Sequence, residues 1–527
     1  MTDTPAHPDF EVAIIGAGPG GIAAAVKVAA AGIDDFVIIE RPDDIGGSWH
    51  ENHYPGLSVD IPAIAYQYSF PRNPNWSRVF PRGAEVKRYH VDVAKRFDLY
   101  RRVRFNTHVV CEQWDDAAAM WVLHTQTGGF ITARFLISAV GAFIRPKADP
   151  GIPGWQAFEG KIQRPASWDH DYELGGQRVA VIGTGASAVQ IIPAIAPKVA
   201  ALTIFQRIPV WALPKPDYRI SKSLQRMLAV RGVHPAVHGV ALGVVDLVLR
   251  AVSGLPQPVI RPVLDGFDQT TIAAYRRYLN RIISDPNTVA ALAPNFGIAA
   301  KRPTLSNRYL QTYNRPNVEL VTTPIGEITP HGIRTRDGRN HGVDVIVLAT
   351  GYEVFSDPET YRPGTILGRD NFDLADYYRQ HGLQAYQSVA VPGLPNRWIL
   401  VGPYSWTGSG WHAFVEMTAD HAVRAISEAR RRRATRVEVR QTIHDAYHDL
   451  IVKRSRALRY YFNDLNDLND LNGHVPTYYR NSQGDSTYDR PTGFFAASRA
   501  NRRFAFDDYR YEQARDGASL AVQRWVR

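Results

Sequence analysis

The stretch from Val12 to Trp49, VAIIGAGPGGIAAAVKVAAAGIDDFVIIERPDDIGGSW, constrains the fold more than any other part of the chain. A short apolar run, Val12 to Ile15, enters Gly16-Ala17-Gly18-Pro19-Gly20-Gly21. An alanine-rich helical segment follows, then a second apolar run, Phe36 to Ile39, closed by Glu40. Strand, glycine turn, helix and strand in that order predict a βαβ unit. Gly16 permits the tight turn, Gly18 lets the backbone approach a pyrophosphate, and Gly21 lets the helix pack close to the strand. The helix N-terminus then faces the negative charge. Glu40 lies nineteen residues past Gly21, where a carboxylate can accept hydrogen bonds from ribose hydroxyls. A glycine-rich hexapeptide alone also fits a plain loop. With both strands, the helix and the acid around it, it reads as a dinucleotide site.

A second unit begins at Gln177 to Ile182 and turns through Gly183-Thr184-Gly185-Ala186-Ser187-Ala188 into a helix. Ala188 replaces the third glycine and still permits close helix packing. The next strand, Leu202 to Phe205, ends in Gln206-Arg207 rather than an acid. An arginine there pairs with a 2′-phosphate that a carboxylate would repel, so the expected ligand is NADPH. The competing reading is an arginine that only caps a strand. Two further buried strands, Arg134 to Val140 and Val343 to Leu348, end near glycines, Gly141 and Gly351. Pro146 and Pro150 punctuate a linker between them.

Composition removes several function classes. The 527 residues suffice for two or three domains, and 45% apolar with 21% charged residues is ordinary for a globular chain. The single cysteine, Cys111, excludes a disulfide framework and a CxxC pair and fits a reducing cytoplasm. MTDTPAHPDF lacks the basic and apolar regions of a signal peptide, so a cytoplasmic location is expected. The net charge of +10 could suggest nucleic acid, but the only dense run, Arg430 to Arg433, ends a predicted helix and reads as its solvated terminus. No nucleic-acid partner is expected. Val233 to Val252 is rich in apolar residues but broken by His234, Pro235, His238 and Asp246, and its uninterrupted apolar stretches are too short to span a bilayer. It reads as part of a helical insertion, with peripheral membrane contact as the alternative. His444-Asp445-Ala446-Tyr447-His448 has Asp where a zinc motif has Glu, and reads as a solvated helix face, with no metal. Asn463 to Leu471, a tripeptide repeat, reads as a surface loop.

After the first unit come Gly46-Gly47-Ser48-Trp49, Tyr54-Pro55-Gly56, Asp60 and Tyr66-Gln67-Tyr68-Ser69-Phe70. Later come Phe205-Gln206-Arg207-Ile208-Pro209-Val210-Trp211, Lys301-Arg302-Pro303 and Ala349-Thr350-Gly351-Tyr352. This set resembles the class B flavin monooxygenases, and among them the Baeyer–Villiger monooxygenases, from about residue 10 to about residue 510. The resemblance implies an α/β fold of two Rossmann-like domains, the FAD domain interrupted by the NADPH domain. Residues 1–145 would begin the FAD domain and 146–355 would bind NADPH, with a helical insertion at about 218–297. Residues 356–527 would complete the FAD domain and add a C-terminal extension.

It also implies roles residue by residue. Gly47, Ser48, Trp49 and Tyr66 would lie at the flavin, as would Gly402, and Gly351 would pass near a cofactor. Gly183, Gly185 and Ser187 would cradle NADPH, with Lys301 assisting Arg207 at the phosphate. Arg302, held by Asp60, would stabilise an anionic C4a-peroxyflavin formed from O2, which attacks a ketone to give an ester or lactone. The substrate implied is a hydrophobic small molecule, a ketone. One segment departs from the family fingerprint: Phe158 and Gly160 are present, but Arg164 stands where histidine is expected and Asp169 follows Trp168 where proline is expected. That departure bears on reaction type and domain coupling more than on cofactor binding. A nitrogen or sulfur oxygenase of the same class and a non-catalytic flavin- or nucleotide-binding relative stay open. A disulfide reductase is disfavoured because Cys111 has no partner.

Overall fold

The computed structural model describes residues 7–253, 257–408, 410–456 and 475–513, and the tripeptide repeat lies outside them. Six strands form the first sheet's N-terminal part: β1 (Phe10–Ile15), β2 (Phe36–Ile39), β3 (Val103–Arg104), β4 (Val109–Asp115), β5 (Met120–Thr125) and β6 (Phe130–Ser138). β3, β2, β1 and β6 lie side by side and parallel, with β5 and β4 added as an antiparallel extension. The central strands are buried along their length, as parallel strands covered on both faces must be.

The second sheet is entirely parallel. It comprises β7 (Lys161–Gln163), β8 (Arg178–Ile182), β9 (Ala201–Phe205), β10 (Val318–Val321) and β11 (Val345–Leu348), in the order β10-β9-β8-β11-β7. The chain then returns to the first sheet through β12 (Ile366–Leu367), beside β4, and β13 (Arg397–Ile399), beside β6. One dinucleotide-binding unit is therefore interrupted by another, each with its glycine turn on the central strand.

The helices follow from the same sequence logic. α1 (Pro19–Ala30) and α2 (Ala186–Ile195) each follow a glycine turn. Between β9 and β10 come α3 (Lys222–Ala229), α4 (Val233–Ser253), α5 (Gln257–Ile282) and α6 (Pro286–Leu292). Ser221 and Asp285 cap α3 and α6 by accepting from backbone amides, which places those helix starts. α7 (Trp411–Arg432) packs along α1. Among the described residues no single helix is long and apolar enough to cross a membrane.

α8 (Gln441–Arg454) carries a correction: His444 is fully buried rather than solvated. It packs near the Tyr377 ring, and burial pushes its pKa down. Among the described residues no group of three ligands could hold a metal. The arginine run at the end of α7 is ion-paired: Arg431 and Arg432 reach Glu428 at 2.6 Å, and Arg430 reaches Glu11 at 2.9 Å.

Deep in the first sheet, Arg397 on β13 donates to Glu112 on β4 at 2.5 Å, with side chains 2% and 9% exposed. Removing one member of such a pair strands the other charge away from water. Glu112→Ala is expected to cost about 3–5 kcal/mol, read as a lowered urea midpoint.

Candidate active site

The two central strands present the same construction twice. Gly16 (φ +101°) sits beneath the carbonyl of Ala139, which follows β6, where a Cβ would lie 2.7 Å from that oxygen. Gly183 (φ +107°) sits in the same way beneath Ala349, which follows β11, again at 2.7 Å. At Gly21 a Cβ would meet the Gly16 carbonyl at 1.7 Å, so only glycine lets α1 start there. The Gly46-Gly47 turn packs against this loop, and a Cβ on Gly47 would lie 2.8 Å from the Gly18 Cα. The result is a cradle made of backbone alone. Gly18 and Gly185 are the N-cap residues of α1 and α2, and neither helix start carries a side-chain cap. Free amides and a bare backbone suit a pyrophosphate at each site.

Glu40 is buried beneath the first turn. One oxygen accepts from the Ala17 amide and the other from the Arg41 amide at 2.8 Å, leaving lone pairs for a ribose. Burial raises its pKa. Ser48 and Trp49 open a single helical turn, Ser48–Glu51. Trp49 Nε1 donates to the Tyr66 hydroxyl at 3.0 Å, and the Tyr66 ring meets His412 edge-on at 4.6 Å.

Arg302 donates to Asp60 through Nη2 at 2.6 Å across 242 residues of sequence. The Asp60 carboxylate holds the guanidinium pKa well above its usual value against the opposing effect of burial, and the hydroxyls of Tyr478, Tyr488 and Tyr479 act in the same direction as Asp60. On the second unit, burial and the charge of Arg207 push the Lys301 ammonium below the usual lysine range. Neither Lys301 nor the exposed Arg207 has a carboxylate partner among the described residues. Two adjacent unneutralised cations fit a dianionic phosphate. Ser187 lies in the first turn of α2, partly exposed. Gly351 (φ +94°) has open space where a Cβ would stand, so it is needed for conformation. Gly402 is the reverse case, its Cβ position 2.2 Å from the Ser388 carbonyl oxygen.

Sequence reasoning missed the groups that join the two units. Gln190 on α2 accepts from the Tyr54 hydroxyl at 3.1 Å and donates to the Ser58 carbonyl at 2.9 Å. Gly56 in the Tyr-Pro-Gly turn is required by this contact, since its Cβ would lie 2.4 Å from the Gln190 carbonyl oxygen. Lys215 donates to Ser58 Oγ at 2.8 Å and the Val59 carbonyl at 2.9 Å, next to Asp60. A cavity of about 1110 Å³ opens here, lined among others by Trp49, Tyr54, Gln190, Lys215 and Arg308. Arg164, in place of the fingerprint histidine, donates to the carbonyls of Lys147 at 3.1 Å and Ala148 at 2.9 Å. Its guanidinium lies over Trp155 at 5.4 Å, so it ties the second unit to the linker. His170 is exposed and reaches His53 at 3.0 Å, while Asp169 pairs with Lys161.

Asp489 was also missed. It neighbours Tyr478, Tyr479 and Tyr488, and burial pushes its pKa up to about 7. A carboxyl whose folded pKa is raised contributes stability at low pH that is lost as pH climbs through the folded value. Asp489→Asn is therefore expected to stabilise the protein at pH 8 relative to pH 5. The difference should be on the order of 2 kcal/mol, the full linkage value discounted for the side chain's residual exposure, read by thermal unfolding at the two pH values.

Residues 13–232 match the family described as pyridine nucleotide-disulphide oxidoreductase. A Baeyer–Villiger monooxygenase of Streptomyces coelicolor is 37% identical over 410 residues, covering 76% of this chain and 75% of that protein. The chain belongs to the Baeyer–Villiger monooxygenases. A second such monooxygenase, from Pseudomonas aeruginosa, is 33% identical over 456 residues, covering 84% and 82%. Among solved structures, OTEMO in complex with FAD and NADP superposes with a TM-score of 0.80 at 26% identity, covering 96% of this chain and 99% of that one. Oxidised steroid monooxygenase bound to NADP gives 0.79 at 26%, with the same coverage. This monooxygenase uses FAD and NADPH and inserts one oxygen atom of O2 beside a ketone carbonyl. Cofactors and reaction class are thus as expected, and the open alternatives of heteroatom oxygenase and inert binder give way to a Baeyer–Villiger enzyme. Arg164 at the histidine position does not move the chain out of the family.

Proposed function

We propose that Arg302 and Asp60 are the catalytic pair of this monooxygenase and that its substrate is a hydrophobic ketone. The observation that carries the proposal is the 2.6 Å contact between Arg302 and Asp60, with Tyr478, Tyr479 and Tyr488 nearby. Gly16, Gly18, Gly21, Glu40, Gly47, Ser48, Trp49, Tyr66 and Gly402 are assigned to FAD. Gly183, Gly185, Ser187, Arg207, Lys301 and Gly351 are assigned to NADPH. Bound FAD, reduced by NADPH, supplies the oxygen-activating chemistry.

The protein's part is placement and charge. Arg302 keeps its proton throughout, because Asp60 raises an already high pKa, so it offers a fixed cation to negative charge that develops during the reaction. Asp60 orients that cation through the hydrogen bond from Nη2. Lys215, held by Ser58 and Val59, fixes the backbone that carries Asp60. Tyr478, Tyr479 and Tyr488, whose rings pack on one another near Arg302, add aromatic surface that suits an apolar ketone. The test is a panel of ketones graded by hydrophobicity, with ester formed measured against NADPH consumed. Ester yield is expected to rise with apolar surface. Oxidation confined to small polar ketones would overturn the substrate assignment.

A further inference from the structure

We propose that the outer face of α3 and α4 is a docking surface for an anionic lipid bilayer, with α4 lying along the boundary between headgroups and acyl chains. The two sides of α4 carry the argument. Its inner side presents His234, His238 and Leu242, four residues apart and 5%, 5% and 6% exposed. Gln67 donates to His234 there at 2.7 Å, so that side is seated on the protein. The outer side presents Val237, Val240, Val244 and Leu247, 37%, 67%, 59% and 68% exposed. Met227 on α3 and Val230 in the turn that leads to α4 are exposed as well, at 48% and 55%. An apolar helix face is normally covered. Single exposed valines need no explanation, but a contiguous stripe marks an interaction site.

Charge selects the occupant. No acidic residue occurs between Asp217 and Asp246, whereas Arg219, Lys222, Arg226 and Arg231 all lie there and are exposed. A second copy of this chain, meeting the stripe across a two-fold axis, would bring the same four cations face to face. An anionic bilayer supplies both the apolar phase and the opposite charge. The geometry agrees with lying on the surface rather than crossing it, since α3 and the first part of α4 meet at 97°.

The test is co-sedimentation of the full-length, FAD-loaded protein with vesicles of phosphatidylglycerol and phosphatidylcholine in equal parts, beside vesicles of phosphatidylcholine alone. Binding is expected to be about tenfold or more tighter to the anionic vesicles and to weaken with salt. The pair Val240→Glu and Val244→Glu should lose about tenfold or more of that binding while retaining the wild-type rate of NADPH oxidation. The pair Lys222→Glu and Arg226→Glu should lose the preference for anionic lipid. No sedimentation with anionic vesicles would overturn the proposal, as would sedimentation indifferent to both pairs. A wild-type dimer in light scattering that the glutamate pair on α4 splits would assign the stripe to a second copy of the chain instead.

Discussion

Arg302→Ala is expected to lower ester formation by about 10²–10³-fold, the loss seen when a fixed donor to developing negative charge is removed from a water-excluded site. NADPH oxidation should continue, because the cations assigned to its phosphate, Arg207 and Lys301, lie on the second unit and are untouched. Oxygen consumed without ester should then appear as hydrogen peroxide. The distinguishing quantity is ester formed per NADPH oxidised, which should fall towards zero while the rate of anaerobic flavin reduction stays within a few-fold of wild type. Arg302→Lys keeps a charge but replaces a planar fork by a point, so it should recover only a small part of the loss. Asp60→Asn retains a hydrogen-bond acceptor and loses the charge that raises the Arg302 pKa, and a milder defect is expected. Equal loss of flavin reduction and ester formation in Arg302→Ala would place Arg302 at the nicotinamide cofactor and remove it from the oxygenation step.

What could be read from the sequence divides along a physical line. The glycine turns were legible because a single residue type dictates the conformation: Gly16 and Gly183 occupy φ near +100°, and a Cβ on either would strike the carbonyl of the neighbouring strand's end. The strands β1, β2, β6, β8, β9 and β11 were legible because apolar runs of that length between turns have few other uses, whereas β7 and β12, three and two residues long, carry no such run. The pairing of Arg302 with Asp60 was not legible from spacing, since 242 residues separate them, and it entered only through resemblance. Gln190 and Lys215 gave no local signal at all; their partners, Tyr54, Ser58 and Val59, belong to a different unit of the fold. His444 was misread because α8 carries polar residues on every side, and the helix pattern alone could not say which side faces inward. In each case what was missed is a contact between segments distant in the chain, which periodicity does not encode.

On the cofactor side the largest effect is expected at Arg207. Arg207→Ala should raise the KM for NADPH by about 10–100-fold, since a hydrogen bond to a charged group is worth about 1.5–3 kcal/mol, and leave the KM for NADH nearly unchanged. Lys301→Ala should act in the same direction on NADPH but differently on the free protein. In the free protein Lys301 is a partly desolvated cation beside another cation, so its removal relieves repulsion and should not lower stability. The stabilisation that NADPH adds in thermal unfolding should therefore shrink in Lys301→Ala even where the starting stability is equal or higher. A pH dependence follows from the same shift. The Lys301 pKa is below the usual lysine value, so raising pH removes its proton earlier than from a free lysine, and a phosphate ligand that favours the charged form loses affinity there. The KM for NADPH should rise at alkaline pH in the wild type, the KM for NADH should not, and Lys301→Ala should flatten the NADPH profile. An NADPH profile as steep in Lys301→Ala as in the wild type would assign the titration to another group and leave Arg207 as the phosphate's only cation on this side.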